Sequence, residues 1–191
     1  MKSNKSIIWA IVLLIIVAAF FRAIPGRPWG FVPHLALALF GGSVIKDKRW
    51  AFALPIFSIF LSDVLYQVLY TTGIFSIKGF YQGQWFMYLL YAGIVLLGFT
   101  LKKVNVLNVL VYSVAAPTIF FLVSNFQYWI AGGADIRTQL PLSRDFAGLM
   151  QSYNQALPFY PGSLAGTIVF SAILFGGYYL ITQKRAAVAV K

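Results

Sequence analysis

The sequence predicts an all-α integral membrane protein, folded as a single bundle of six membrane-spanning helices. Three observations carry that expectation. The 191 residues are 60% hydrophobic and only 10% charged, where a soluble domain carries roughly 25% charge. The apolar residues fall in long runs, not in the short alternating segments of a closed β-barrel. The basic residues sit mainly at the ends of those runs, as membrane topology signals do.

The expected spans are about 7–21, 33–45, 50–70, 84–101, 105–130 and 161–182, within one domain covering 1–191. The first follows a short lead with Lys2 and Lys5. Its basic start and apolar core also fit a signal peptide, but the bundle needs a first helix, which favours an uncleaved span. The loop at 22–32 holds Pro25, Gly26, Pro28 and Gly30 and cannot be regular helix. Trp29 and Phe31 give it an aromatic plug. The second span, from Pro33 or His34 to Ile45, covers only ~18 Å against a ~30 Å hydrocarbon core. It must start earlier, tilt, or be shielded by other helices. Ala38 and Gly42 form a small-xxx-small pair suited to close helix contact.

A charged turn, Lys46 to Arg49, leads into the third span, which carries Pro55 early. The fourth span is rich in Tyr and Leu and ends at Lys102-Lys103. The fifth is long enough to tilt, and Pro117 is expected to kink it. The segment 131–160 is the longest polar stretch, with a short amphipathic helix expected within Asp145 to Ala156. The last span opens with Pro-Gly-Ser and ends in a basic tail, Lys184 to Lys191.

Six spans place both termini on one side. That side holds Lys2, Lys5, Lys46, Lys48, Arg49, Lys102, Lys103, Lys184, Arg185 and Lys191, ten basic residues. The other holds Arg22, Arg27, Lys78, Arg137 and Arg144, five. The positive-inside rule puts both termini in the cytoplasm and the loops at 22–32 and 131–160 outside. The net charge of +11 is thereby read as orientation and contact with an anionic lipid bilayer, not as nucleic-acid binding. The chain has no Cys and one His, which excludes disulfides, thiol catalysis and a multi-histidine metal site.

Candidate site residues begin with Asp63, the one acid inside an apolar run. An Asp at the centre of a membrane helix costs ~2.5–3.5 kcal/mol on insertion scales, so it needs a partner or a function. Asp63, Tyr66, Gln67 and Tyr70 are spaced i, i+3, i+4, i+7 and share one helical face. By helical rise Asp63 lies roughly 20 Å from the cytoplasmic end of its span, in the outer half. Phe121, Asn125, Tyr128 and Trp129 recur along the fifth span, with Asn125 also in the outer half.

The residue reading is therefore an outward-facing pocket with Asp63 and Asn125 as polar anchors. Tyr66, Gln67, Tyr128 and Trp129 are its expected walls. Arg22, Arg27, Trp29, His34, Tyr153 and Asn154 are expected as gate or ion-pair residues, with Gly132-Gly133 as a hinge. Plainer readings stand beside these. Asp63 pairs with Arg22 or Arg27 and locks helices together, or it lines a site. Tyr128 and Trp129 also fit an interfacial belt, Asn125 a helix–helix hydrogen bond, His34 a cap, and Ser163, Gly166, Thr167 and Ser171 a packing stripe. No GxxxxGK[ST], HExxH or GxSxG occurs, and no catalytic nucleophile stands out.

PHLALALFGG, Ser62-Asp63, SNFQYW from Ser124, LPLSRDFAGLMQSYNQALPFYPGSLAG and FSAILFGG resemble an uncharacterised family of bacterial six-span membrane proteins described as transport proteins. The resemblance runs from about Arg22 to Gly177. That family is in turn similar, at fold level, to the substrate-binding S components of energy-coupling factor (ECF) vitamin transporters. The resemblance implies a six-helix bundle in the cytoplasmic (inner) membrane that captures a small, vitamin-like nutrient from outside. It also implies a membrane coupling subunit with ATPases as partner; no cofactor is expected. Better-known S components carry an Ala-x-x-x-Ala docking patch on the first helix. Here that helix has Ala10, Ala18 and Ala19 but no such pair, leaving Ala38 and Gly42 as the substitute.

The expectation is thus a non-enzymatic uptake protein. An intramembrane enzyme acting on a lipid or isoprenoid, or a structural membrane subunit, is the alternative.

Overall fold

The computed structural model describes the backbone of residues 2–189 and the side chains of residues 8–182. The basic side chains of Lys2, Lys5, Lys184, Arg185 and Lys191, used above as orientation signals, lie outside the described side chains. Among the described residues the protein is all-helical. Its helices are α1 (Lys2–Arg22), α2 (His34–Val44), α3 (Lys48–Thr71), α4 (Gln84–Thr100), α5 (Val106–Ile130), α6 (Phe146–Ala156) and α7 (Tyr160–Ala189). A 3₁₀ turn, Leu157–Phe159, joins the last two.

Three helical stretches are long and apolar enough to cross a membrane: Lys48–Thr71, Val106–Ile130 and Phe146–Thr182. Ile8–Arg22, His34–Val44 and Gln84–Thr100 are shorter apolar helices.

The helix starts follow from side chains that accept the otherwise unpaired N–H groups of a first turn. Asp47 accepts from the Arg49 N–H, Asn105 from the Asn108 N–H, and Asp145 from the Gly148 N–H. Pro33 precedes α2, and Gly83, at φ 81°, turns the chain into α4. Pro55 and Pro117 are carried inside continuous helices.

The short helix α2 is the centre of the molecule. It packs on α3, α4, α5 and α7, while α1 packs on α3, and α5 on α6 and α7. Eight of its residues are buried, from His34 to Gly42. Its shortness is therefore met by shielding. Other helices pack along its length from His34 to Gly42, the shielding that lets a short apolar helix stop short of ~30 Å.

Close approach to α4 depends on glycine. A Cβ at Gly42 would fall 2.2 Å from the Val95 carbonyl oxygen, and one at Gly98 2.7 Å from that of Leu39. Ala38 and Gly42 are thus used up inside the bundle. They offer no docking patch to another subunit unless α4 is displaced.

The loop before α2 is also seated. A Cβ at Gly162 would fall 1.8 Å from the Trp29 carbonyl oxygen, and one at Gly166 3.0 Å from the Val32 nitrogen. The α7 glycines thus form a groove for residues 29–32. Phe31 packs on Phe21 and Phe170. Trp29 is exposed and lies against Phe159, ring centroids 4.9 Å apart.

Gly42→Leu is expected to abolish the folded bundle or lower its melting temperature steeply, because backbone atoms, not a movable side chain, occupy the space. Gly176→Ala, with nothing within 4 Å of the added Cβ, should leave it unchanged. Thermal unfolding in detergent separates the two.

Candidate functional site

Asp63 is buried on α3, and both oxygens of its carboxylate are hydrogen-bonded. Oδ1 pairs with Arg22 Nη1 from the end of α1. Oδ2 accepts from Gln84 Nε2 and, at 2.8 Å, from the Tyr88 hydroxyl, both on α4. Arg22 Nη1 also donates to Ser62 Oγ at 3.2 Å. One carboxylate thus ties three helices together.

The next turn of α3 extends the network to the loop. The Tyr66 hydroxyl donates to the Arg22 carbonyl at 2.9 Å, and Arg27 Nε donates to the same oxygen at 2.8 Å. Arg27 Nη2 donates to the Tyr66 hydroxyl at 3.4 Å. The Arg22 guanidinium lies 5.0 Å over the Tyr66 ring, a favourable cation–π arrangement.

Gln67 accepts from the Phe80 N–H, and Lys78 lies over the Tyr70 ring. A Cβ at Gly79 would fall 1.9 Å from the Asp63 carbonyl oxygen. The 72–83 connection therefore folds back along the polar face of α3 and covers it.

Beside this cluster is a cavity of about 170 Å³ lined by Arg22, His34, Asp63, Tyr81, Gln84 and Tyr91, with Val32, Ile59, Met87 and Phe120 as apolar walls. His34 is fully buried, yet neither ring nitrogen has a hydrogen-bond partner. Its ring meets the edge of Tyr91 at 6.1 Å. The Ser58 carbonyl faces the imidazole without reaching hydrogen-bond geometry.

The structure brings Asp63, Arg22 and His34 together as lining residues, with Tyr66 and Arg27 just behind them. Asn125 lies elsewhere. It lines a second cavity of about 270 Å³ with Ser124, Phe121, Tyr160 and Ser163, between α5 and the α6–α7 segment. Phe120 borders both cavities. Asn125 Nδ2 donates to the Phe121 carbonyl of its own helix.

Tyr128 and Trp129 pin the loop after α5. The Tyr128 hydroxyl donates to the Ala134 carbonyl and accepts the Ala134 N–H; Trp129 Nε1 donates to the Ser143 carbonyl. Arg144 Nη1 caps the α5 carbonyls of Trp129 and Ile130. Ser152 and Tyr153 tie α6 to the Asn125 and Leu122 carbonyls. Asn154 is exposed. Gly133 is no free hinge, since the Tyr128 ring fills the space beside it.

Sequence reasoning missed the α4 side of the cavity. Gln84, Tyr88 and Tyr91 are spaced i, i+4, i+7 and share one face of that helix. The spacing rule that singled out Asp63, Tyr66, Gln67 and Tyr70 was there to find them.

The model of one family, described as a family of unknown function (DUF6580), matches residues 2–189. The chain belongs to that family. No curated protein and no solved structure matches the chain.

Two expected outcomes follow from the geometry. Asp63→Asn removes the anion and leaves Arg22 without its counter-charge. The loss should be about 2 kcal/mol, below the ~3–5 kcal/mol of a fully buried pair because Arg22 is partly exposed. A double-mutant cycle with Arg22→Gln, followed by unfolding in detergent, measures the coupling; strict additivity would remove the clamp.

The second outcome concerns Asp135, whose carboxyl is held down to about 2 by the Arg137 side chain. A carboxyl lowered in the folded state stabilises fully above its unfolded value of ~3.9 and loses that effect as pH falls through the folded value. Asp145, lowered by the Ser143 hydroxyl, acts in the same sense. Amide protection of Leu142, bonded to the Gly133 carbonyl, should be complete above pH ~4 and fall toward pH ~2. Asp135→Asn should weaken that protection above pH ~4, where the wild-type carboxylate is charged, and flatten the dependence.

Proposed function

We propose that this is a six-span protein of the bacterial cytoplasmic membrane, with both termini inside, that binds a small nutrient from the exterior for uptake. The observation that carries this reading is the His34 imidazole: fully buried, without a partner, and lining a cavity beside a saturated ion pair. A buried unsatisfied polar group costs ~1–3 kcal/mol. A fold tolerates that cost where a ligand supplies the missing bonds.

The cavity's place supports the direction. It lies where α1 ends and α2 and α4 begin, beside the middle of α3 at Ile59 and Asp63. The basic turns at Lys46–Arg49 and 102–103 are at the opposite ends of α2, α3 and α4. If the basic end faces the cytoplasm, the cavity opens outward.

Asp63 acts in this reading as a positioning residue. Its three donors leave it to hold Arg22 and Gln84 in place, while Arg22, His34, Tyr81 and Tyr91 meet the ligand. An S-component-like division of labour, with a separate ATPase-bearing coupling subunit, fits a chain that has no nucleotide motif of its own. Such a partner would dock on a face other than Ala38–Gly42.

His34→Phe separates function from stability. Replacing an unpartnered imidazole by a ring of similar size should leave the melting temperature unchanged or raise it. The same change should abolish the uptake that the wild-type gene restores to a deletion strain, followed by mass spectrometry of the spent medium. Full uptake by His34→Phe would contradict the reading. For orientation, Tyr81→Cys should react with an impermeant thiol reagent in intact cells, and Lys48→Cys should not.

A further inference from the structure

The cavity is unbalanced in hydrogen-bonding groups. The Asp63 carboxylate already accepts from three donors of the chain, Arg22 at Oδ1 and Gln84 and Tyr88 at Oδ2. The Gln84 carbonyl oxygen accepts from the Tyr81 N–H. The donors are not used up. Arg22 employs Nη1 alone, and its Nε and Nη2 meet no acceptor among the described residues. Neither ring nitrogen of His34 has a hydrogen-bond partner, and Tyr91 and Tyr81 line the same space.

Formal charge is unbalanced in the same direction. Arg22 and Arg27 bring two positive charges to this network, and Asp63 brings one negative. Arg27 is fixed at the rim by the Arg22 carbonyl and the Tyr66 hydroxyl. One bound anionic group would bring the set to neutrality.

Size sets the third limit. At about 170 Å³ the space is close to the ~150 Å³ cavity that holds benzene, and below the ~300–1,000 Å³ of sites for drug-sized ligands.

We propose that the cavity takes a small monocarboxylate with a body no larger than one ring. The free Nε–Nη2 edge of Arg22 receives the carboxylate, and His34 and Tyr91 complete its bonds. A guanidinium edge is suited to this, because two parallel N–H donors match the two oxygens of a carboxylate. Val32, Ile59, Met87 and Phe120 enclose the ring or short chain. This inference rests on the uptake reading for its biological meaning, but binding tests it separately.

The probes are benzoate, benzamide and 2-naphthoate, titrated into the purified full chain in lipid nanodiscs and followed by calorimetry. Benzamide keeps the shape of benzoate and removes its charge; 2-naphthoate keeps the charge and adds a ring. Benzoate should bind saturably and about tenfold or more tighter than benzamide, since charge-assisted bonds to Arg are the stronger ones. The larger 2-naphthoate should not bind. Arg27→Gln should narrow the gap between benzoate and benzamide, and His34→Phe should weaken both.

Benzamide binding as tightly as benzoate, binding of 2-naphthoate at equal affinity, or no saturable binding of benzoate would each overturn the proposal. Its failure is distinct from that of the uptake reading. An uncharged nutrient whose uptake His34→Phe abolishes would remove the carboxylate and keep the uptake. Benzoate binding as described, with uptake intact in His34→Phe, would do the reverse.

Discussion

An aspartate in the middle of an apolar helix costs ~2.5–3.5 kcal/mol on membrane-insertion scales, and the upper half of this bundle is arranged around offsetting it. Asp63 is met by a guanidinium from α1, an amide and a phenol from α4. The consequence is geometric as much as energetic. One carboxylate fixes groups from α1 and α4 against α3, beside the space that Arg22, Asp63 and Gln84 line. A cavity remains, and its walls are held by bonds that do not involve a ligand. For the ligand proposed above, such walls would lower the ordering cost of binding.

The lower half follows a different rule. There α2 meets α4 through Gly42 and Gly98, and α3 through Gly41 and Ala51, with backbone nearly against backbone. Small residues let helices approach where lipid gives them no hydrophobic reason to associate. Dense packing at the basic end and a polar gap at the other make the bundle asymmetric along its axis. The loops do not share in that looseness. Residues 29–32 rest in the α7 glycine groove, and 131–145 is pinned by Tyr128, Trp129 and Arg144.

Much of this was legible in the sequence. Asp63 was conspicuous as the one acid inside an apolar run, and its pairing with Arg22 was one of two readings open for it. The short second span left an earlier start, a tilt or shielding open, and the burial of eight of its residues fits shielding. What could not be read was rotation about each helix axis. Asn125 was placed at a depth comparable to Asp63 by counting residues, but it turns toward α6 and α7 and a separate cavity. Tyr128 and Trp129 looked like pocket walls because aromatic residues near a polar stripe have no sequence mark that tells a wall from a loop anchor. Their partners, Ala134 and Ser143, are backbone groups, which leave no trace in residue identity. Gln84, Tyr88 and Tyr91 were readable by spacing, but Gln and Tyr carry no obligatory insertion penalty of the kind that made Asp63 visible.

The claim on which the account turns is that the His34 imidazole is an unfilled hydrogen-bonding position within a ligand cavity. The chain contains a single histidine, so tag-free protein grown on ¹⁵N-labelled histidine gives ring-nitrogen signals that belong to one residue. In the empty protein both nitrogens should resonate as groups without a hydrogen-bond partner. On titration with benzoate at least one should move, saturating with the ligand, and the movement should vanish when the cavity is blocked by Tyr91→Trp. Ring signals that already show strong hydrogen bonds in the empty protein, or that stay fixed while ligand binds, would contradict the account.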